Sequence, residues 1–432
     1  MSKFVINGGK KLAGEIKVNS SKNATVALVM ASLINKGTTT LKNVPEIEEV
    51  SRMLEVIRSI GVKIKREERK LIITPPKKFN IKNIDTEAAK KTRGIILGIG
   101  ALAGQVGRFE IPQAGGCRLG SRTVKPHLFA LENFGINIKT TEDSYIVSAP
   151  KLKRAELILY ETGDTVTENA LIAAAQVNGR SEIRMASSNY MVQDLGFFLE
   201  KLGVKVTWTG SGIVEVTGKK NINKDVSYEI SEDPIEAMFF LCLAITTDSN
   251  IKIKRCPIDF LELELLKLEK MGLKYKMSKK YKSNNNRTDL VDIEVLPSKL
   301  VALEEKIHAM PYPGINQDNL PFFVPIATKA EGRTLIHDWT YENRAIYFSL
   351  LNKLGAKVNL IDPHRVEVEG SSKLTGAEVV CPPALRPAAI ILGAMLGAKG
   401  KSVLHNVYPI ARGYERIEER LRRLGAEIER TE

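Results

Sequence analysis

The chain has 432 residues, and its 64 Lys and Arg against 50 Asp and Glu give a formal net charge of +14. A hydrophobic fraction of 43% with 26% charged residues is typical of a globular protein, which excludes a disordered, fibrous or collagen-like chain. The longest uncharged apolar run, residues 388–398, is well short of the roughly 20 residues that cross a bilayer, so we expect no membrane insertion.

The N-terminal sequence predicts a strand followed by a turn. Residues 1–9 contain no apolar signal segment. The cysteines Cys117, Cys242, Cys256 and Cys381 lie far apart, without the paired spacing of a zinc site. Dispersed cysteines are typical of reduced thiols in the cytosol, so we expect a cytoplasmic protein without a bound metal.

The positive charge fits three classes of partner: a nucleic acid, a membrane surface or a polyanionic small molecule. The basic residues are spread along the whole chain and form no compact Lys/Arg tract with interleaved aromatic residues. That distribution is typical of a general soluble surface and gives no indication of nucleic-acid binding. Composition alone does not distinguish between these three classes of partner.

One pattern recurs along the chain: an amphipathic helix that ends in an apolar residue and Gly, followed by a short strand of alternating polarity. Glycine at this position adopts the left-handed conformation that ends a helix. The glycines of the pattern are Gly61, Gly135, Gly203, Gly272, Gly355 and Gly425, with spacings of 74, 68, 69, 83 and 70 residues. The longest interval contains the polar insertion 279–287, which we expect to form a surface loop.

Small-residue apolar segments lie between these copies and predict helices that are buried on nearly all sides. The segments are 23–34, 94–103, 169–177 and 388–398. Because six copies divide into three plus three, the sequence predicts an α/β fold of two similar domains, each with three α/β repeats around buried helices. The first domain is predicted over 22–231, and the second combines 1–21 with 232–432.

The first candidate site lies where the first buried helix begins, at residues 19–23. Ser21 suits an N-cap, and the free N–H groups of a helix start beside Lys22 make an anion site. The alternative is an ordinary cap with a solvated lysine.

The second candidate is the segment 111–127, which carries Cys117. Its glycines permit a loop, and the positive charges of Arg118, Arg122 and Lys125 favour the thiolate form of a neighbouring cysteine. The segment therefore predicts a reactive thiol, with a small apolar side chain in a turn as the alternative.

Further candidates lie in the second half of the chain. The Pro-Gly turn at 311–319 is suited to direct the carboxylate of Asp318, although a capping Asp is the common alternative. Isolated arginines also occur in loops or at helix starts, and each alone is typical of a surface charge. They are Arg93, Arg344, Arg386 and Arg412.

Taken together, these motifs resemble the enolpyruvyl transferases. The motifs are Ser-Lys-Asn at 21–23, Gly-Gly-Cys at 115–117 with Arg122 five residues on, Pro-Gly-x-x-x-Asp at 313–318, Glu-Asn-Arg at 342–344, Leu-Arg at 385–386 and Arg-Gly-Tyr-Glu-Arg-Ile at 412–417. The resemblance covers essentially the whole chain, in the family's order. It implies two three-repeat domains of the inside-out α/β barrel type, with the active site in the cleft between them.

The resemblance also implies a reaction, without a metal or organic cofactor. The enolpyruvyl group of phosphoenolpyruvate passes to the 3-hydroxyl of UDP-N-acetylglucosamine and phosphate is released, the first committed step of peptidoglycan precursor synthesis. Two alternatives stay open: another acceptor, such as a phosphorylated cyclic acid or another nucleotide, and a catalytically weakened binding paralogue. RNA-terminal phosphate cyclases share a related fold, but the chain lacks their nucleotide-accepting His motif.

Site roles follow from the resemblance residue by residue. The catalytic residues that it implies are Cys117, Asp318 and Lys22, and the substrate-binding residues are Asn23, Arg93, Arg122, Arg344, Arg386 and Arg412. The thiol of Cys117 participates in proton transfer and is alkylated by fosfomycin in the family. The carboxylate of Asp318 handles the acceptor hydroxyl proton, Asn23 holds the acceptor, and the cations bind phosphate and carboxylate oxygens.

The chain departs from the family pattern at three places. Ala384 and Ala411 stand where the family usually has Asp, and 123–127 replaces the Pro-Val-Asp-Leu-His that lines the uridine. Loss of acidic residues beside the cations should strengthen the positive field and removes groups that orient the arginines. The nucleotide contact is the part of the resemblance that these departures affect most.

Overall fold

The computed structural model describes residues 2–115 and 123–432. The predicted site residues Cys117 and Arg122 lie outside the described residues. The chain divides into two compact units: a first unit of residues 20–115 and 123–231, and a second unit of residues 2–19 and 232–432. Each unit combines helices with several sheets, which confirms the predicted α/β fold class.

The chain begins with two strands of the second unit, β1 (Lys3–Gly8) and β2 (Ala13–Lys17). The helices of the first unit are α1 (Lys22–Ala31), α2 (Glu48–Ser59), α3 (Thr86–Lys90), α4 (Leu97–Val106), α5 (Lys125–Glu132), α6 (Asp164–Ala175) and α7 (Tyr190–Leu202). Its strands are β3 (Thr39–Lys42), β4 (Lys63–Glu67), β5 (Lys70–Thr74), β6 (Arg108–Pro112), β7 (Asn137–Thr140), β8 (Ser144–Ser148), β9 (Glu156–Ile158), β10 (Gly179–Arg184), β11 (Lys205–Gly210), β12 (Ile213–Gly218) and β13 (Val226–Glu229).

The second unit continues after residue 231. Its helices are α8 (Pro234–Thr246), α9 (Glu262–Lys270), α10 (Phe323–Ala327), α11 (Leu385–Gly397), α12 (Tyr408–Ala411) and α13 (Ile417–Arg423). Its further strands are β14 (Asn250–Pro257), β15 (Lys274–Met277), β16 (Tyr281–Lys282), β17 (Asp289–Leu296), β18 (Ile307–His308), β19 (Arg333–His337), β20 (Lys357–Asp362), β21 (Arg365–Glu369), β22 (Glu378–Val380), β23 (Gly400–His405) and β24 (Glu427–Thr431).

Short 3-10 helices complete the secondary structure. They are Ser32–Ile34, Ile81–Asn83, Gly94–Ile96, Ile258–Phe260, Leu320–Phe322 and Ala345–Leu354. The last of them takes the place of the predicted amphipathic helix before Gly355.

Within the described residues the strands form six sheets, three in each unit. The sheet orders of the first unit are β13-β3-β5-β4, β6-β8-β7 and β11-β12-β10-β9. Those of the second unit are β15-β17-β14-β2 with β16 on β17, β18-β19-β21-β20, and β22-β23-β1-β24. Five of these six described sheets join one parallel pair to two antiparallel neighbours, so one structural unit repeats as the sequence predicts.

The chain's first strand belongs to its last sheet. Strand β1 runs antiparallel to both β23 and β24, and Lys3 lies opposite His405 on one side and Thr431 on the other. Strand β2 runs parallel to β14. The second unit is therefore built from segments that lie far apart in the sequence.

The predicted left-handed helix ends are confirmed. The six glycines of the repeated pattern have φ angles between 82° and 98°, a region that a side chain rarely adopts. Each of them precedes a strand: β4, β7, β11, β15, β20 or β24. Glycine here lets the backbone turn from helix to strand.

Substitution of Gly425 tests this backbone requirement. Because Gly425 has a φ of +92° and no atom within 4 Å of an added Cβ, Gly425→Ala changes only the backbone energy. We expect the free energy of unfolding to fall by about 1–2 kcal/mol. Gly393→Ala, in helix α11 with its nearest neighbour 4.0 Å away, should instead raise stability by about 0.5–1 kcal/mol. Urea denaturation of the two variants measures both effects, and equal shifts would refute the explanation.

The buried helices predicted from the sequence are α1, α4 and α6 in the first unit and α11 in the second, and the structure adds α8 and α10. Helices α1, α4 and α6 contact one another in the first unit, and α8, α10 and α11 do so in the second. All thirteen residues of α8 are buried. Small side chains allow α1, α4 and α6 to approach one another closely.

The described cysteines Cys242, Cys256 and Cys381 are buried and unpaired, and burial raises the pKa of each thiol. In the part of the chain that the structure describes, no helix is both long and apolar enough to span a bilayer. Over the same residues, no group of three or more His, Cys, Asp or Glu side chains is placed to hold a metal ion.

Candidate functional site

Asp318 lies at the end of a tightly turned segment in the second unit. The Met310 N–H donates to the Ile315 carbonyl at 3.0 Å, and the Gly314 N–H donates to the Pro311 carbonyl at 2.9 Å. These bonds close the turn that the Pro-Gly sequence predicts. The Asp318 side chain is 20% exposed, so its carboxylate combines a fixed position with access to solvent.

Arg386 fixes one oxygen of this carboxylate. It lies in the first turn of α11, is 7% exposed, and donates from Nη2 to Asp318 Oδ2 at 3.1 Å. Its Nη1 donates to the Tyr414 hydroxyl at 3.2 Å. Burial raises the pKa of Tyr414, so this hydroxyl stays protonated at neutral pH. The arginine is thereby held between a carboxylate and a neutral phenol.

Arg344 is almost completely enclosed, at 1% exposure. Its Nε and Nη2 donate to the two oxygens of Asp338 at 2.5 Å and 2.9 Å, and Nη2 also donates to the Gln317 carbonyl at 2.7 Å. Its guanidinium lies 4.1 Å from the centre of the Tyr341 ring, and Nη1 lies 3.8 Å from Asp318 Oδ1. These contacts join Arg344 to the Asp318 segment rather than direct it to solvent.

Arg412 lies two residues before Tyr414, the hydrogen-bond partner of Arg386. It ends α12 and is followed by Gly413, where an added Cβ would lie 2.3 Å from Leu385 Cδ2. The segment 412–414 therefore passes directly over the start of α11. The structure thus gathers Asp318, Arg344 and Arg386 and places Arg412 on the adjoining segment.

The departure at Ala384 changes the start of α11. Ala384 is the N-cap residue, is buried, and packs against Tyr341 and Tyr347. An alanine supplies no side-chain acceptor to the first helical turn, whereas an Asp at this position would. The positive end of the helix and the guanidinium of Arg386 therefore lie together without a carboxylate at the cap.

The predicted residues Lys22 and Asn23 lie in the first unit, at the start of α1. Ser21 is the N-cap, as predicted, and its hydroxyl accepts from the Ala24 N–H at 3.0 Å. The Asn23 side-chain amide donates to the Tyr190 hydroxyl at 3.0 Å. The lysine is thereby placed at the positive end of a capped helix.

Arg93 lies close to the same helix. It precedes Gly94, where an added Cβ would lie 2.5 Å from Val26 Cγ1 of α1. Its Nη2 donates to the Thr123 carbonyl at 3.5 Å, at the edge of the segment where the chain departs from the family pattern. The first unit therefore collects Lys22, Asn23 and Arg93 around α1.

A buried histidine, His127, lies behind Arg93. Its ring nitrogens lie 3.3 Å from the Asn169 amide nitrogen and 3.4 Å from the Thr165 hydroxyl. Burial lowers the pKa of His127 to about 3, and the positive charge of Arg93 adds to the shift. Burial also raises the pKa of the neighbouring Glu168 well above its usual range. Burial therefore disfavours the charged form of both side chains, and His127 is neutral at pH 7.

The histidine pKa gives a stability prediction with a defined sign. Between about pH 6.5 and pH 3 the unfolded chain binds a proton at His127 that the folded chain does not bind, so acid favours unfolding. Relative to His127→Gln, the wild type should lose about 3 kcal/mol of unfolding free energy between about pH 6.5 and pH 4. The Glu168 contribution, which has the opposite sign, cancels in this comparison. Urea denaturation at a series of pH values gives the two slopes, and parallel slopes would contradict the assignment.

Asp338 and Tyr414 belong to the cluster around Asp318 but were not predicted from the sequence. Asp338 directly follows strand β19, a common place for a site carboxylate, but nothing in the sequence pairs it with Arg344. Tyr414 belongs to the Arg-Gly-Tyr motif, in which only the arginine was predicted to bind substrate. Both act through contacts that the fold alone creates.

The similarity of this chain to known proteins extends over nearly its whole length. The model of one protein family, EPSP synthase (3-phosphoshikimate 1-carboxyvinyltransferase), matches residues 6–421. The chain is 32% identical over 434 residues to a UDP-N-acetylglucosamine 1-carboxyvinyltransferase of Bradyrhizobium diazoefficiens, with 99% of this chain and 97% of that protein covered. It is 33% identical over 430 residues to the protein of the same name from Treponema denticola, with 99% of both covered.

Solved structures share the fold. The enolpyruvyl transferase NikO from Streptomyces tendae matches with a TM-score of 0.85 at 21% identity, over 100% of this chain and 99% of that one. An EPSP synthase from Acinetobacter baumannii matches with a TM-score of 0.74 at 19% identity, over 100% of both chains. At these sequence identities the similarity shows a shared fold and nothing about activity.

Proposed function

The chain belongs to the EPSP synthase family of enolpyruvyl transferases, and from that premise we propose that it transfers the enolpyruvyl group of phosphoenolpyruvate to the 3-hydroxyl of UDP-N-acetylglucosamine, releasing phosphate. Membership of the family confirms the resemblance that the sequence motifs indicate. The acceptor is supported by the full-length relatives at 32% and 33% identity, which carry that activity in their names.

The observation that carries the proposal is the arrangement around Asp318. A partly exposed carboxylate bonded to one buried arginine and close to a second has a fixed direction and stays accessible to a substrate. Transfer to an alcohol requires removal of the hydroxyl proton as the oxygen attacks the substituted carbon of phosphoenolpyruvate. A positioned carboxylate is a suitable acceptor of that proton.

The remaining roles follow the chemistry of phosphoenolpyruvate. A proton is added to its methylene carbon as the new carbon–oxygen bond forms, and we assign this proton transfer to Cys117. The cations Lys22, Arg93, Arg122, Arg386 and Arg412 bind the phosphate and carboxylate oxygens and stabilise the departing phosphate. Collapse of the intermediate removes a proton from the same carbon and expels phosphate.

Arg344 takes a different part in the proposal from the one that the motif implies. Its Nε and Nη2 hydrogen bonds go to Asp338 and Gln317, and it is almost fully buried. We assign to it the task of holding the Asp318 segment, with substrate oxygens bound by the other cations.

A second candidate is enolpyruvyl transfer to another acceptor. The altered segment 123–127, where Thr123 accepts from Arg93, favours it because the family lines the uridine there. The family model's description names 3-phosphoshikimate, which makes shikimate 3-phosphate the first alternative to test.

The deciding experiment measures phosphate release from phosphoenolpyruvate with each acceptor in turn. We expect turnover with UDP-N-acetylglucosamine and none with shikimate 3-phosphate. Release with shikimate 3-phosphate alone would replace the first proposal by the second. A melting temperature that rises with ligands, without turnover on any acceptor, would favour a binding paralogue. With the expected acceptor, the protein would act in peptidoglycan synthesis and hence in cell-wall formation, cell shape and division.

A further inference from the structure

A carboxyl group interrupts the apolar face of helix α9. Leu261, Leu265 and Leu268 are buried at helical spacing, and Glu264 lies on the same face at 2% exposure. A buried carboxyl among leucines is unfavourable unless it makes hydrogen bonds. Burial is also the main reason why the pKa of Glu264 lies above its ordinary value.

The Glu264 side chain makes two hydrogen bonds to the segment that carries Asp318. Its Oε1 accepts from the backbone N–H of Asn316 at 3.1 Å and from the side-chain amide of Asn319 at 2.8 Å. The Asn316 side-chain oxygen in turn accepts from the Asp318 N–H at 2.8 Å. Glu264 therefore holds Asn316 and Asn319, which lie on either side of Asp318. Through Asn316 it also holds the backbone N–H of Asp318.

Residues just before α9 also hold the beginning of the turn at 311–319. The rings of Phe260 and Tyr312 lie 5.1 Å apart, and the Tyr312 hydroxyl donates to the Asp259 carbonyl at 3.3 Å. Asp259 and Phe260 lie in the short 3-10 helix Ile258–Phe260, one residue before α9. The turn is therefore fixed at its start by a ring contact and at its end by Glu264.

We propose that Glu264 is a positioning residue for Asp318, which orients the carboxylate from behind through Asn316 and Asn319 without touching substrate. The assignment rests on the proposed function for its effect on turnover. A leucine at this position would complete the apolar face, so the chain retains a carboxyl where packing alone favours a hydrocarbon. The backbone N–H of Asn316 and the amide of Asn319 are the groups that this carboxyl satisfies.

Three variants separate the hydrogen bonds from the packing. Glu264→Gln keeps an oxygen acceptor and should retain kcat within about 3-fold. Glu264→Leu removes the acceptor and keeps the volume, and we expect kcat to fall about 10- to 100-fold with KM changed less than about 3-fold, because misplacement acts on the chemical step. Glu262→Gln, two residues away and 66% exposed at its side chain, is the control and should match the wild type.

Hydrogen exchange tests the positioning without any substrate. Backbone amides of residues 311–319 should exchange faster in Glu264→Leu than in the wild type, and at the wild-type rate in Glu264→Gln and Glu262→Gln. Wild-type exchange and wild-type kcat in Glu264→Leu would overturn the proposal. If that variant does not fold, Asn316→Ala removes the acceptor for the Asp318 N–H, and an unchanged kcat there would overturn it as well.

The two proposals fail in different ways. If the wild type releases no phosphate with any acceptor, the proposed function is wrong, while the exchange rates still decide whether Glu264 holds the segment. If the wild type turns over and Glu264→Leu is unchanged in both measurements, the positioning role is wrong and the function stands.

Discussion

Replacement of Asp318 by asparagine should lower kcat about 10²- to 10⁴-fold, the range typical for loss of a general base. Asparagine keeps the shape and an oxygen for Arg386 Nη2, which lies 3.1 Å from the present carboxylate, so the fold should be retained. It does not accept the hydroxyl proton. Steady-state phosphate release and a thermal melt together separate loss of chemistry from loss of structure.

The control for this variant is Asp362→Asn, a surface change at the end of β20 that should leave turnover unchanged. Affinity for phosphoenolpyruvate should stay within about 10-fold in Asp318→Asn, because the cations proposed to bind its oxygens remain. Turnover within 3-fold of the wild type would show that another group removes the proton.

Removal of Asp338 should destabilise the second unit strongly. Asp338 is fully buried and pairs with Arg344, which is 1% exposed, so Asp338→Ala leaves a buried guanidinium without its main partner. The expected loss in the free energy of unfolding is about 3–5 kcal/mol, as for other broken buried ion pairs. Urea denaturation followed by circular dichroism gives the value.

The double variant Asp338→Leu with Arg344→Met tests whether an unpaired buried charge causes this loss of stability. Replacing both partners removes the unpaired charge, and stability should return to within about 2 kcal/mol of the wild type. Phosphate release should be lower in the double variant than in the wild type, because Arg344 also binds the Gln317 carbonyl next to Asp318. Equal stability loss in the single and double variants would mean that packing, not charge, is what Asp338 provides.

The fold was predictable because the repeat has a local cause. A glycine with a positive φ favours a turn from helix into strand, and such a glycine marks the six copies of the repeated pattern in the sequence. Helices α1, α4, α6 and α11 were predictable for a similar reason, since small apolar residues on all faces indicate a buried helix. The strand partners were not, because β1 pairs with β23 and β24 through contacts that no local pattern records.

The sequence indicated which charged residues are candidates for the site, but it did not indicate which residues they contact. The motifs identify Arg344 as a cation near Asp318, but only the fold reveals that Asp338 and Gln317 occupy its donors. Glu264 did leave a signal, since a charged residue occupies a position of the apolar stripe of α9. Its partners Asn316 and Asn319 are about 50 residues further along the chain, a distance at which sequence patterns say nothing about contact.

The position of β1 between β23 and β24 imposes an order on folding during translation. The first unit draws its strands from residues 39–229 and is complete when they have left the ribosome. Strand β1 must wait for its partner at residue 405, a delay of about 20–80 s at the usual elongation rate of about 5–20 residues per second. Until then Phe4 and Ile6, buried in the finished protein, remain exposed on the nascent chain, where they are available to a chaperone.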